Sequence, residues 1–273
     1  MSERIPVSVL AATGSVGQRF IQLLDNHPWF EVKSLTASDR SVGQTYGEAC
    51  HWLLAEPMPA WAREIVVTPT SPDGANAPLV FSALPANIAE TAEPEFARAG
   101  VKVFSNASAY RKPSDVSILL PEVNPDQARI VEIQRRLREW SGYIVTNSNC
   151  TSTGMTVALK ALMDAFGLQL VFAVSLQALS GAGYPGVPSL DIIDNVIPYI
   201  GGEEEKVEQE PRKMLGKIEG DEIVPADFAI TAHTNRVAVS DGHMVCLSVE
   251  TKQRTDARHA TGEERTDDRY QRD

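Results

Sequence analysis

The sequence is short of the residues that several functions require. Only 3 cysteines occur in 273 residues, Cys50, Cys150 and Cys246, and their spacing suits neither a metal site nor a disulfide framework. So low and odd a count fits a reduced, cytoplasmic chain. Basic charge is in deficit: 25 Lys and Arg stand against 36 Asp and Glu, for a net charge of −11. That balance argues against a nucleic-acid or anionic-membrane partner. No apolar run is long enough to span a bilayer. The opening stretch, MSERIPVSVLAATG, interrupts its apolar run with a glycine loop too soon for a secretory signal. No internal repeat is present. What the chain does have is 43% hydrophobic residues, enough to build the core of one large domain or two ordinary ones.

The first half alternates strand-like and helix-like pieces. VSVLAA, EVKSLTAS, LVFSALP, VKVFSN and YIVTNS read as strands. Between them, VGQRFIQLLDNHP, AETAEPEFARAG and PDQARIVEIQRRLREW read as helices. This alternation predicts an α/β fold with a Rossmann-like, doubly wound parallel sheet over residues 1–150. After Cys150 the pattern changes. A helix (TGMTVALKALMDAFG), a long strand (LQLVFAVSLQALS) and an alternating strand (GHMVCLSVE) predict an α+β domain over residues 151–252. LDIIDNVIPYIGGEEEKVEQEPRKML between them reads as irregular to helical. From Thr251 to Asp273, 12 of 23 residues are charged, so residues 253–273 read as a disordered tail or frayed helix.

Two segments carry chemistry. AATGSVGQRF follows a strand and opens a helix. Gly14 and Gly17 allow a pyrophosphate to approach the backbone, and the helix start offers free N–H groups. Ala11 stands where such loops usually place their first glycine. Alanine fits there if its φ is negative, so weaker binding than for a full glycine motif is expected. At the end of the second strand, Ser38 and Arg40 favour NADP, with Asp39 an ambiguous neighbour and a solvated turn the plain alternative.

The second segment is IVTNSNCTSTGMTVALKAL, in which Cys150 sits where a strand hands over to a helix. The helix dipole there is expected to favour the thiolate. A lone cysteine is more often structural, but this one has company. NRVAVSDGHMV places Arg236 and His243 across a turn; arginine can grip a carboxylate and histidine can act as acid or base near neutrality. His27, His51, His233 and His259 have no comparable setting.

Together ATGSVGQRF, SNCTS, QALSGAGYPG and RVAVSDGH, in that order from about Val7 to about Lys252, resemble the aspartate-semialdehyde dehydrogenase family in its archaeal and fungal branch. The resemblance implies reversible, phosphate-dependent reduction of L-4-aspartyl phosphate to aspartate semialdehyde by NADPH, in lysine, methionine and threonine synthesis. It implies Cys150 as the nucleophile that forms a thioester, His243 as acid/base and Gln177 as the residue orienting the acyl-enzyme. It also implies Arg236 on the substrate carboxylate, Glu203 and Lys206 on the substrate amine and phosphate, and Arg111 as second phosphate ligand. The register among Glu203, Glu204 and Glu205 stays open, with a solvated acidic turn as the alternative. The NADP contacts that go with the resemblance are Thr13, Gly14, Ser15, Val16, Gly17, Ser38, Arg40, Ser82, Ser180 and Gly181. A metal is not implied, and a homo-oligomer formed through the second domain is.

The family pattern is expected to continue beyond Lys252 with further strands and a helix returning to the first domain. Its replacement by the charged tail leaves a second reading: a non-catalytic, NADP-binding or dimerising product with an incomplete second domain. A third keeps the thioester chemistry in a related acyl reductase, acting on malonyl-CoA or N-acetyl-glutamyl phosphate. Lys206 and Arg111 favour an acyl phosphate over a CoA ester.

Overall fold

The computed structural model describes residues 3–254; the expected disordered tail lies, from residue 255 onward, outside the described residues. Strands β1 (Ile5–Leu10), β2 (Phe30–Ala37), β3 (Thr68–Pro69), β4 (Leu79–Ser82), β5 (Lys102–Ser105) and β6 (Tyr143–Thr146) form a sheet in the order β3-β2-β1-β4-β5-β6. All five pairings are parallel. The order reverses between β1 and β4, which opens a crevice at their carboxyl ends, the place where doubly wound sheets hold ligands.

Two apolar layers hold this sheet. Val80, Val103 and Ile144 pack with Phe96 of α5 (Ala86–Arg98) on one side. Val7, Val9 and Leu35 pack with Ile21 of α1 (Ser15–Leu23) and Tyr46 of α2 (Tyr46–Ala49) on the other. Strands covered on both faces read as continuous apolar runs, which is why this half is plain in the sequence. Each fully buried aliphatic or aromatic side chain contributes roughly 1.5–3 kcal/mol. Short helices α3 (Ala60–Arg63) and α4 (Pro72–Ala75) and the helix α6 (Ile130–Arg138) complete this half.

The second half is built on α7 (Cys150–Phe166), which starts four residues after β6 ends. Asn149 caps it by accepting from the N–H groups of Thr151 and Ser152. Gly167, at φ 68°, ends it in a conformation that other residues avoid. Met155 and Leu159, one turn apart, enter a core with Val171 and Ala173 of β7 (Leu168–Gln177) and Val207 and Met214 of α9 (Glu203–Met214). Ile118 and Val123, from the loop before α6, join this same core. A four-stranded sheet runs β12-β7-β11-β8, with β8 (Ile197–Pro198), β11 (Ala229–Arg236) and β12 (Met244–Thr251). β7 and β11 pair parallel, while β12 pairs antiparallel with β7 and β8 antiparallel with β11. The alternation in β12 is as expected: Val245, Leu247 and Val249 face this core. The irregular stretch before α9 holds α8 (Ser189–Ile192) and β8. A separate hairpin joins β9 (Lys217–Glu219) to β10 (Glu222–Val224).

Candidate active site

Two registers assemble the site. Parallel pairing of β7 with β11 sets Arg236 opposite Gln177. Antiparallel pairing of β12 with β7 sets Met244 opposite Leu176, so His243 stands at the same sheet end. The start of α7 then delivers Cys150, and its Sγ lies 3.0 Å from His243 Nε2. Gly181 lets the group close up: a Cβ there would stand 2.8 Å from Arg236 Nη1 and 3.0 Å from His243 Cε1.

The backbone decides which nitrogen of His243 carries its proton. The N–H of Ala178 donates to Nδ1 at 3.0 Å. A backbone amide can only donate, so Nδ1 is the acceptor and the neutral ring carries its hydrogen on Nε2, facing Cys150. Burial lowers the pKa of His243 below its ordinary value, and the Arg236 charge adds to that. The imidazolium would also set an Nδ1–H against the Ala178 amide. His243 therefore offers Cys150 a hydrogen bond.

The thiol differs from the expectation. Burial pushes the Cys150 pKa up, the Glu203 carboxylate pushes it further, and the amides of Thr151 and Cys150 pull back less strongly. The helix start is present, but a side-chain oxygen of Asn149 already occupies the N–H groups of Thr151 and Ser152 at 3.0 and 3.2 Å. Loss of water and a nearby negative charge outweigh what remains of the dipole.

Glu203 links the other members. It takes Lys206 Nζ at 2.6 Å and Asn149 Nδ2 at 2.7 Å, with Gln177 Nε2 at 3.5 Å. Burial raises its pKa, but these hydrogen bonds bring it below the usual carboxylate value. Its neighbours make other contacts: Glu204 accepts from the Thr234 N–H, and Glu205 lines an adjoining cavity with Arg111 and Lys206. Arg236 is buried and donates to the Ala178 carbonyl at 2.7 Å. Arg111 is buried too, bonded to Glu210 at 3.0 Å and to the Asn106 carbonyl at 2.9 Å.

A cleft of about 810 Å³ joins this cluster to the glycine loop. Ser15, Val16, Asn149, Cys150, Ser180, Gly181, Arg111 and Lys206 all line it. Gly14 puts no side-chain cap on α1, so the first N–H groups of that helix are open. Gly17 is required by packing, since a Cβ there would lie 2.4 Å from the Ala11 carbonyl oxygen and 2.7 Å from Ala12 Cα. Thr13 is half-buried behind the loop, and its carbonyl accepts from Gln18 at 3.0 Å. Ser38 and Arg40 are exposed in the turn after β2. Open helix-start amides, a glycine at the approach and an exposed guanidinium in the turn after the neighbouring strand β2 fit a phosphorylated dinucleotide. Ser82 does not join them. It is fully buried at the end of β4 and absent from the cleft lining.

Ala11 does not take the negative φ expected of alanine; its φ is 55°. The turn imposes the left-handed conformation whatever residue occupies it, and alanine bears the strain. Ala11→Gly is expected to stabilise the chain by about 0.5–1 kcal/mol, the strain relieved exceeding glycine's added chain entropy. Thermal unfolding of the two proteins checks this, and an equal or lower midpoint for the glycine variant contradicts it.

Among the described residues no group of His, Cys, Asp and Glu is placed to hold a metal, and no helix is long and apolar enough to cross a membrane. Residues 6–131 match the model of the semialdehyde dehydrogenase NAD binding domain, and residues 159–268 that of the semialdehyde dehydrogenase dimerisation domain. The aspartate-semialdehyde dehydrogenase of Archaeoglobus fulgidus is 53% identical over 247 residues, covering 90% of this chain and 72% of that protein. The chain belongs to the aspartate-semialdehyde dehydrogenase family. The Saccharomyces cerevisiae member is 43% identical over 259 residues, 90% of this chain and 71% of its own. The crystal structure of the Candida albicans enzyme with NADP superposes with a TM-score of 0.86 at 39% identity, over 93% of this chain and 73% of that one. As a member of this family the chain is an oxidoreductase with a nicotinamide-dinucleotide domain. These relatives favour neither the malonyl-CoA nor the N-acetyl-glutamyl-phosphate reaction. The dimerisation-domain match also runs to residue 268, past Lys252, where the motifs ended.

Sequence reasoning missed two contributors. Asn149 is one, although its place just before a helix, where Asn caps well, was a usable signal. The Ala178 amide is the other, and a backbone group leaves no mark in a sequence.

Proposed function

We propose that this family member reduces L-4-aspartyl phosphate to L-aspartate 4-semialdehyde through a thioester on Cys150, releasing phosphate. The observation that carries the reading is the 3.0 Å contact of Cys150 Sγ with His243 Nε2. Sulfur is a good nucleophile and a good leaving group, as a two-stage acyl transfer demands. The Cys150 thiolate forms a bond to the acyl carbon while the bond from that carbon to the phosphate oxygen breaks. Phosphate departs toward Lys206 and Arg111. Arg236 grips the substrate carboxylate and Glu203 its ammonium group, while Gln177 steadies the acyl group. NADPH, when bound, supplies the hydride that reduces the thioester; Gly14, Ser15, Val16 and Gly17 would hold it, with Thr13 behind the loop, Ser38 and Arg40 at its 2′-phosphate and Ser180 and Gly181 across the cleft. Expulsion of the Cys150 thiolate then leaves the aldehyde.

Both stages pass through an oxyanion. The first consumes the Cys150 thiolate and expels phosphate, and the second returns the thiolate. The thiol's proton is lost to solvent before attack, so no base acts within either stage. A neutral His243 donating from Nε2 first stabilises the thiolate and then the oxyanion. This narrows the acid/base role that the resemblance implies to that of a hydrogen-bond donor. The dinucleotide domain is assigned to residues 1–150 and the catalytic and dimerising domain to residues 151–252, with a homo-oligomer formed through the latter and a cytoplasmic setting. The test is phosphate-dependent reduction of NADP by purified protein with aspartate semialdehyde. Turnover that requires phosphate supports the reading; turnover that takes free CoA in place of phosphate, or none, refutes it.

NADP rather than NAD rests on Ser38 and Arg40. Arg40→Ala is expected to cost about 1.5–3 kcal/mol of NADPH affinity, roughly 10- to 150-fold, with little change for NADH. Fluorescence titration with each dinucleotide measures it. Equal affinities in the unsubstituted protein would refute the assignment.

A further inference from the structure

The mechanism leaves one buried acid at the site without a role. Glu210 lies on α9, two turns after Glu203 on the same face of the helix, and its residue is 5% exposed. Oε1 accepts from Arg111 Nη1 at 3.0 Å. Oε2 accepts from the backbone N–H of Asn149 at 2.5 Å. One carboxylate therefore touches both the guanidinium at the anion end of the cleft and the residue that immediately precedes Cys150. Both partners are donors without lone pairs, so both oxygens must accept and the ionised form is the one that satisfies them. Burial is the largest influence and pushes the Glu210 pKa above the usual carboxylate value, while the Arg111 charge and the Asn149 amide pull it back toward the carboxylate. A proton on either oxygen would weaken one of the two bonds, whereas the carboxylate accepts both at full strength, so the two donors favour the ion pair.

Around it the network closes. Lys213, one turn further along α9, donates to the carbonyls of Arg111 and Pro113, both at 2.6 Å. That fixes the backbone that carries the guanidinium. Glu210 then fixes the guanidinium itself, and by the same side chain the entry of the chain into α7.

We infer that Glu210 is a positioning residue that sets Arg111 and the Cys150 nucleophile together. It touches neither substrate nor cofactor. Its two oxygens hold the phosphate ligand and the nucleophile's backbone in one geometry, so that attack and phosphate departure share a frame. A shift of about 1 Å in such a frame can cost on the order of 10²-fold in rate. The phosphate half of this inference rests on the function proposed above; the Cys150 half does not.

The test compares Glu210→Gln and Glu210→Asp with the unsubstituted chain. Glutamine matches the shape but keeps one acceptor, so its NH2 must face either Arg111 or the Asn149 amide. Aspartate keeps the charge but falls one methylene short of spanning both. Three quantities are read: the thermal midpoint, the second-order rate of Cys150 alkylation by iodoacetamide without phosphate, and the KM for inorganic phosphate beside that for aspartate semialdehyde. In folded Glu210→Gln, the expectation is a change of about tenfold in the alkylation rate and a rise of about tenfold in phosphate KM, with a much smaller change in the KM for the aldehyde. In an Arg111→Met background, Glu210→Gln should leave phosphate KM unmoved but still alter alkylation. If Glu210→Gln does not fold, Glu210→Asp is read on the same scale. Alkylation and phosphate KM both within twofold of the unsubstituted protein would overturn the inference, as would equal changes in both KM values. Should the unsubstituted chain show no phosphate-dependent turnover, the proposed function fails, and the alkylation rate alone decides the role of Glu210.

Discussion

Cys150→Ser is expected to lower phosphate-dependent turnover by at least about 10³-fold while leaving the fold in place. Serine is nearly isosteric, and Cys150 lines the cleft at the start of α7 rather than an apolar core, so no packing is disturbed. What changes is the chemistry. The hydroxyl ionises far less readily than a thiol, and a surrounding that raises even the thiol pKa disfavours an alkoxide more strongly still. The serine alkoxide would also leave less readily than a thiolate when the aldehyde forms. Circular dichroism should match the unsubstituted protein, and an initial-rate assay measures the loss. Activity within tenfold of the original would remove Cys150 from the nucleophile's role. Because burial and Glu203 raise the thiol, the unsubstituted enzyme should gain rate as the pH rises through the alkaline range, where the thiolate fraction grows.

His243→Ala is expected to cost about 10²–10³-fold in kcat, the usual loss for one oxyanion donor. His243→Gln, which restores an N–H donor, should recover part of that loss. The distinction matters because a proton-transferring histidine would leave glutamine as inactive as alanine. The pH profile gives the same division. With Nδ1 occupied by the Ala178 amide and burial lowering the ring's pKa, protonation is pushed below the ordinary 6.5. Any acid limb in the rate should thus lie below that value and disappear in His243→Gln. A limb unchanged in the variant would assign it to another group.

The first sheet could be read from the sequence because its strands are covered on both faces over most of their length and carry mainly apolar runs there. The glycine loop could be read because its context, strand before and helix after, is local. β11 had no such signal: AITAHTNR buries Ala232, Thr234 and Arg236, so its inward face is small, polar and charged. The strand is held by its pairing to β7, a partner about sixty residues away in sequence, and pairing over that distance has no local period. Cys150 was correctly placed at a strand-to-helix junction, yet the direction of its pKa was not. The dipole is a local feature, whereas Glu203 and the burying atoms arrive through folding. Ala11 is similar: propensity predicts a negative φ, and the turn between β1 and α1 overrides it. Glu210 reads in sequence as one more acid in an acidic helix. Only the approach of α9 to the start of α7 gives it two partners, 99 and 61 positions away.

The covalent intermediate is the centre of this account, and it can be seen directly. Purified protein is incubated with NADP and aspartate semialdehyde in phosphate-free buffer, quenched in acid and digested for peptide mass spectrometry. Without phosphate to accept it, the aspartyl group should remain on sulfur, and the peptide bearing Cys150 should carry that mass, with one equivalent of NADPH formed per site. Adding phosphate before the quench should discharge it. An aspartyl adduct on Cys50 or Cys246, or reduction of NADP with no adduct on any cysteine, would contradict the thioester mechanism.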